Sequence, residues 1–226
     1  MMTLIQPQII NGAEKVSVPF RGLILDFVGV LTSSVGESVA LFEAREGVPR
    51  GRFWEAVQTP EGYALIARVE VGEITQRQWN REFSQLLGVR EEGLLRRLLA
   101  GLKPAQQMLG IARQARSAGI RTAVLSNSFA RDLYDPYVSY DLADVFDVVV
   151  LSDEHGMRKP DPCIYELALS ELAVPADACV FVDDTPVNLP PARRLGMRTL
   201  RSVDERSTSS ALRSILSLPW EDLRGR

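Results

Sequence analysis

Leu23-Ile-Leu-Asp-Phe-Val-Gly-Val-Leu31 is the stretch on which the fold of this 226-residue chain turns. From Leu23 to Phe27 it is apolar except for Asp26, the pattern of a strand covered on both faces that carries an acidic side chain near its end. Later stretches repeat the device. Thr122-Ala-Val-Leu-Ser-Asn127 ends on Ser126, Val180-Phe-Val-Asp-Asp184 ends on two carboxylates, and between them Arg158-Lys-Pro-Asp-Pro162 carries Lys159 in a loop. Reactive side chains placed where runs of Val, Leu and Ile stop mark the ligand crevice of open α/β sheets, which lies beyond the carboxyl ends of parallel strands. Asp26, Ser126, Lys159, Asp183 and Asp184 are therefore expected in one crevice.

The strand patterns are unevenly spaced. Thr122 comes about 95 residues after Phe27, far more than one crossover needs, so a segment is inserted between the first two strands. Residues 36–100 hold no strand-like run. Their apolar positions recur at helical spacing in Phe53, Trp54 and Val57, in Tyr63, Ile66 and Ala67, and in Trp79, Phe83, Leu86 and Leu87, which predicts a small helical cap.

Beyond the cap, helix and strand patterns alternate. Lys103-Pro104 opens a helix with an inner face of Met108, Ile111, Ala112 and Ala115, ended by Gly119. A second helix is expected from Ser128 until Pro136 breaks it, then a strand over 145–151. Asp161 caps a helix with Pro162 in its first turn and a core stripe of Ile164, Leu167, Ala168 and Leu172. Residues 180–182 form a further strand, 186–195 a short helix and 197–200 a last strand. This alternation predicts an α/β fold, a doubly wound parallel sheet with right-handed crossovers and an inserted helical cap. The expected division is a tail over 1–20, a core over 21–35 and 101–226, and the cap over 36–100.

Composition narrows the function. The chain has 26 Lys and Arg against 29 Asp and Glu, a net charge of −3, and lacks the basic excess that nucleic acid or an anionic membrane surface would require. No stretch approaches the roughly 20 apolar residues of a membrane span. Residues 1–15 show neither the basic start nor the apolar block of a secretory signal. Cys163 and Cys179 are not spaced as a metal clip, which fits a reducing cytoplasm and two small buried hydrophobes.

If Asp26, Asp183 and Asp184 end neighbouring strands, three carboxylates converge. Two like charges 4 Å apart repel by roughly 1 kcal/mol in water and about 4 kcal/mol at an effective dielectric of 20. Such a cluster holds a proton or a cation, and oxygen ligands in that number suit Mg²⁺. Lys159 brings a compact positive charge that keeps Asp26 ionised and attracts an anion, and the Ser126 hydroxyl can donate to a substrate oxygen. Together they equip Asp26 to attack phosphorus or an electrophilic carbon. Singly, each residue has a plainer reading: Asp26 as a turn or cap residue, Ser126 and Asn127 as caps of the next helix, Lys159 as an exposed loop lysine, and Asp183-Asp184 as a turn before Pro186.

Taken together, Asp26-Phe-Val-Gly-Val-Leu-Thr32, Ser126-Asn127, Lys159-Pro-Asp-Pro162 and Asp183-Asp184 resemble motifs one to four of the haloacid dehalogenase-like (HAD) hydrolase superfamily, with its Rossmann-like core. The likeness runs from Leu23 to Leu200, and the insert sits where C1-capped members carry their cap. It implies a Mg²⁺-dependent hydrolase of phosphatase type in which Asp26 is the nucleophile and becomes transiently phosphorylated. Ser126, Asn127 and Lys159 would bind the transferred group. Asp184 would ligate the metal with Asp183 in support, Asp26 and the Val28 carbonyl would complete the protein's share, and Asn188 would brace the metal loop. The implied partner is a small phosphorylated molecule, and the expected assembly is a monomer or homodimer.

The likeness breaks at Val28. Superfamily phosphatases carry there an aspartate that protonates the leaving oxygen and then activates water, and valine does neither. Loss of a general acid/base costs about 10² to 10⁴ in rate, roughly 3 to 5 kcal/mol of barrier, so the expected activity is weakened. Phosphonate-cleaving members use a cap lysine, yet Lys15, Lys103 and Lys159 are the only lysines and none lies in the insert. Two alternatives stand beside the phosphatase: a metal-independent dehalogenase-type hydrolase, disfavoured by Asp183-Asp184, and a catalytically silent metal- or phosphate-binding module. His155, the single histidine, is a candidate substitute proton donor. Glu154 and Arg158 are expected to pair, and Glu37, Phe42, Arg45 and Trp54 are candidate cap contacts.

Overall fold

The computed structural model describes residues 20–218, so the tail expected over 1–20 falls, but for Phe20, outside the described residues. Among these residues the strands β1 (Gly22–Leu25), β2 (Arg121–Ser126), β3 (Val148–Leu151), β4 (Cys179–Asp183) and β5 (Arg198–Arg201) form one parallel sheet in the order β3-β2-β1-β4-β5. The chain winds from β1 through β2 to β3, then crosses to β4 on the other side, which places the switch point between β1 and β4. Leu25 pairs with Val124 on one side and Val182 on the other, so Asp26, Ser126 and Asp183 emerge together at the carboxyl edge.

Side chains of a strand alternate between faces, and here both faces are covered. Leu23 and Leu25 pack with helices α6 (Gln106–Ser117) and α11 (Glu205–Leu216), whereas Ile24 packs with α9 (Pro162–Leu172) and α10 (Leu189–Arg194). That double coverage is why β1 reads as an unbroken apolar run. Met108, Ile111, Ala112 and Ala115 form the buried face of α6, and Gly119 at φ +84° takes the left-handed conformation just past its end. Asp161 accepts from the Cys163 amide at 2.9 Å, with Pro162 opening α9 behind it.

Between β1 and α6 lie α1 (Val35–Glu46), α2 (Arg52–Gln58), α3 (Pro60–Glu70), α4 (Gln76–Leu87) and α5 (Leu94–Leu99). They share a hydrophobic cluster distinct from the two that flank the sheet, built on Phe42, Phe53, Val69, Trp79 and Phe83. Thr59 caps α3, and Thr75 with Gln78 forms a capping box on α4. The buried Glu43 carboxylate accepts from the Gly51 and Phe53 amides at 2.8 and 2.9 Å, capping α2 where Gly51 has no side chain to do so.

Several elements depart from the sequence reading. The buried row on α3 is Gly62, Leu65 and Val69, not Tyr63, Ile66 and Ala67; apolar residues occupy adjacent rows, and burial goes to the row facing α2 and α4. No helix forms over 128–136. Phe129 and Tyr134 pack onto the insert's core, the Ala130 and Tyr134 carbonyls accept from Gln76 Nε2 at 2.7 and 2.9 Å, and the Ser128 amide donates to Ser152 Oγ at 2.9 Å. Long-range bonds replace the helical ladder there. β3 starts at Val148 because Leu142–Val145 closes into a short helix, α7. Residues 186–195 divide into a single 3-10 turn (Pro186–Asn188) and α10. The polar-rich α11 was not anticipated. Cys179 is buried, but Cys163 at the start of α9 is exposed, not the buried hydrophobe expected.

Phe83 is fully buried, stacked on Trp79 with centroids 4.8 Å apart and tilted against Phe53 at 5.6 Å. Phe83→Ala is expected to cost about 3 to 5 kcal/mol, read as a lowered urea midpoint.

Candidate active site

β1 stops at Leu25 and the chain turns back sharply, with the Leu31 and Thr32 amides donating to the Phe27 carbonyl at 2.8 and 3.1 Å. Gly29 makes this turn at φ +82°, and a Cβ there would lie 2.3 Å from Asp184 Oδ2, so both the backbone angle and the space call for glycine. The turn brings the ends of β1 and β4 against the loop that carries Lys159. Lys159 Nζ donates to Asp26 Oδ1 and to Asp183 Oδ2, each at 2.7 Å, and its side chain is only 1% exposed.

Asp183 is held on all sides. It accepts from the Thr185 amide at 2.8 Å and from Asn188 Nδ2 at 3.0 and 3.1 Å, while Tyr165 donates to the Asn188 carbonyl at 2.8 Å. Thr185 Oγ1 donates to Asp184 Oδ1 at 3.0 Å. One oxygen from each of Asp26, Asp183 and Asp184 lies within 4.8 Å of the others. With all three carboxyls ionised, three carboxylates against one ammonium leave a charge of −2. Burial pushes Asp26 up to about 7, with Lys159 pulling it down and Asp183 and Asp184 pushing it further up. Burial also raises Asp184. Burial opposes the Lys159 charge, yet Asp26 and Asp183 hold its ammonium above the usual lysine range. No side chain among the described residues donates to Asp26 Oδ2 or Asp184 Oδ2. These two oxygens fit an oxygen-seeking divalent cation, which would cancel the remaining charge.

Ser126 Oγ and the Tyr137 hydroxyl are 3.0 Å apart, and burial holds the tyrosine well above its ordinary range, so it stays protonated. Asn127 accepts from the Lys159 amide at 2.8 Å and donates to its carbonyl at 3.0 Å, fixing the backbone from which Lys159 reaches Asp26. With no helix after them, the cap reading of Ser126 and Asn127 falls away. A cleft of about 400 Å³ opens above these groups; Asp26, Val28, Ser126, Asn127, Lys159 and Asp184 all border it, and Val35 with Trp54, Val57 and Leu99 of the insert form apolar walls.

Other candidates fall elsewhere. His155, at the end of α8 (Ser152–His155), is exposed and does not border the cleft. Glu154 pairs with Arg131 and not with Arg158, which pairs with Glu70 at 2.9 Å. Phe42 is buried in the insert's core, and Glu37 and Arg45 are exposed away from this cleft, leaving Trp54 as the one of the four that borders it. Sequence reading missed Tyr137 and Glu70 and gave Arg158 only a loop ion pair, yet all three are on the cleft wall. Glu70 ends α3 with its side chain 12% exposed, and Asn127 Nδ2 lies 3.3 Å from its carboxylate. Burial pushes it up to about 7 against the pull of Arg158, Lys159 and Asn127.

A doubly wound sheet with a carboxylate, a lysine and an acidic pair at its switch point defines a hydrolase of α/β architecture. The model of the haloacid dehalogenase-like hydrolases matches residues 20–196, and the chain belongs to that family. It is 32% identical over 213 residues to bifunctional epoxide hydrolase 2 of Sus scrofa, covering 86% of this chain and 38% of that protein. It is 30% identical over 115 residues to a sesquiterpene phosphatase of Aspergillus oryzae, covering 51% of this chain and 59% of the relative. The chain thus spans less than two thirds of these curated relatives. A HAD family enzyme of Bacteroides thetaiotaomicron, solved in complex with magnesium and inorganic phosphate, superposes with a TM-score of 0.62 at 20% identity over 80% of this chain and 93% of that one. Among the described residues no helix is long and apolar enough to cross a membrane.

Mg²⁺ at a hundredfold excess over its Kd is expected to add about 2.7 kcal/mol of stability, roughly 5 to 11 °C in Tm for a chain of this size. Differential scanning fluorimetry should show this shift abolished by EDTA, by Asp184→Asn and by Gly29→Ala.

Proposed function

We propose that this chain is a Mg²⁺-dependent hydrolase of phosphatase type that cleaves a small phosphorylated molecule through an aspartyl-phosphate on Asp26. The observation that carries the reading is Lys159 bonded to both Asp26 and Asp183, with Asp184 beside them. The lysine fixes one oxygen of Asp26, which borders the cleft, and leaves the other as the nucleophile. Lys159 and Ser126 bind and orient the phosphoryl oxygens, with Asn127 setting the lysine's backbone. Asp184, Asp26 and the Val28 carbonyl would hold Mg²⁺, and Asp183 acts through its bonds to Lys159, Thr185 and Asn188. When bound, Mg²⁺ supplies charge neutralisation for the anionic phosphoryl group.

The insert, residues 36–100, serves as the cap. Its apolar walls, Trp54, Val57 and Leu99, with Val35 just before it, favour a phosphate ester with an apolar body, and the likeness to a protein named a sesquiterpene phosphatase supports the same class. With Val28 in place of a carboxylate, turnover is attenuated. The acidic trio argues against metal-independent attack on carbon, because it leaves a charge that such chemistry does not use.

Hydrolysis of an aryl phosphate by the wild-type chain is expected to require Mg²⁺ and to stop with EDTA. Asp26→Asn should abolish both turnover and the acid-stable phospho-enzyme seen on phosphate-affinity gels. Turnover that survives EDTA, or survives Asp26→Asn, would end the reading.

A further inference from the structure

Val28 removes the carboxyl that the turn after β1 would aim at the leaving group. The cleft, however, has one acidic side chain outside the trio: among the described residues bordering it, the carboxyls are Asp26, Asp184 and Glu70. We propose that Glu70 is the proton donor and acceptor of this active site, a role that rests on the phosphatase reading.

The position of Glu70 is set by packing of the insert on the core. Ser152 Oγ donates to the Glu70 carbonyl at 2.5 Å, pinning the end of α3 to the start of α8. Two residues on, Gly72 turns at φ +70°, where a Cβ would lie 2.4 Å from the Asp153 carbonyl, so the approach of α3 to α8 leaves no room for a side chain. The carboxylate is thereby held in the cleft wall against Asn127, the residue that sets Lys159 on Asp26. It borders the same cleft as Asp26, where a carboxyl can exchange a proton with a leaving oxygen directly or through one water.

The groups facing it come from three elements. Arg158 and Lys159 stand on the loop after α8, Asn127 at the end of β2, and Tyr63 of α3 itself lies under the Arg158 guanidinium at 5.9 Å. Asp153 on α8 is engaged by Ser128 and Arg131, and His155 is exposed. Despite the two cations, burial leaves Glu70 titrating at about 7, so both of its forms are populated at neutral pH. A group that first gives and then takes a proton needs that balance.

In the first half-reaction, an Asp26 oxygen forms a bond to phosphorus as the bond to the leaving oxygen breaks, and that oxygen takes the proton from the Glu70 carboxyl. In the second, water adds its oxygen to the phosphorus of the aspartyl-phosphate and gives a proton to the Glu70 carboxylate as the bond to Asp26 breaks. Inorganic phosphate leaves, Asp26 is again a carboxylate, and Glu70 is again protonated.

The test compares wild type, Glu70→Gln and Val28→Asp/Glu70→Gln with Mg²⁺, on p-nitrophenyl phosphate and on a primary alkyl phosphate. Glu70→Gln is expected to lower kcat on the alkyl ester about 10²- to 10⁴-fold. On the aryl ester, whose leaving group needs no proton, the burst of nitrophenolate should persist while the phospho-enzyme accumulates. Wild-type turnover of the alkyl ester should fall as pH rises above about 7, because the donated proton is lost, and this limb should vanish in Glu70→Gln. Val28→Asp should restore alkyl turnover in the double variant. Wild-type-like alkyl turnover and pH profile in Glu70→Gln would overturn the proposal, as would an equal loss on both esters that Val28→Asp does not relieve. If the wild type hydrolyses neither ester, the phosphatase reading itself falls and this assignment falls with it.

Discussion

An ammonium buried between two carboxylates organises this molecule. Lys159 is 1% exposed, so its charge depends on Asp26 and Asp183 for compensation. Removing one partner from such a group typically costs about 3 to 5 kcal/mol, because a charge is left unpaired in a poorly solvated place. The arrangement therefore constrains three separate pieces of chain: the end of β1, the end of β4 and the loop between α8 and α9. Asn127 extends the constraint to a fourth, β2, by bonding both backbone groups of Lys159. The sheet aligns the strand ends, and the lysine converts that alignment into a fixed relation between Asp26 and the Asp183-Asp184 pair.

The same charges that hold the site together leave it electrostatically incomplete. Asp183 spends its oxygens on Lys159, Thr185 and Asn188, so the excess negative charge resides on Asp26 and Asp184 at the cleft. A site with this imbalance gains from a cation or a proton, and the glycine at position 29 keeps the approach to Asp184 open. The insert supplies what the core lacks. Its five helices bury their own aromatic cluster, and it touches the core through polar contacts at the α3 end, through Gln76, and through Phe129 and Tyr134. That second set of contacts brings Glu70 and the apolar walls to the cleft at the carboxyl edge of the sheet.

Much of the architecture was legible because the relevant signals are local. Continuous apolar runs identified β1, β2 and β4, since strands covered on both faces carry no polar alternation. Asp161-Pro162 marked the start of α9, and Gly119 the end of α6, through hydrogen bonding and backbone angles confined to a few residues. Where local and distant demands competed, the reading failed. Residues 128–136 have an acceptable helical pattern, but Gln76 and Ser152 offer their backbone groups better-placed partners. On α3 the apolar residues fill two adjacent rows, and only the neighbouring helices decide which is buried.

By itself the amino-acid sequence determined which chemical groups are present at strand ends, that a helical segment interrupts the core, and that position 28 has no carboxylate. These follow from periodicity and residue type within short windows. The tertiary structure alone decided that Asp183 is a structural partner of Lys159, that Glu154 and Arg158 have different partners, and that Glu70 stands at the cleft. Glu70 and Asn127 are 57 residues apart, and nothing in the neighbourhood of either announces the other. Their meeting depends on how two independently packed units close on each other, a property of surfaces and shape that no local pattern encodes.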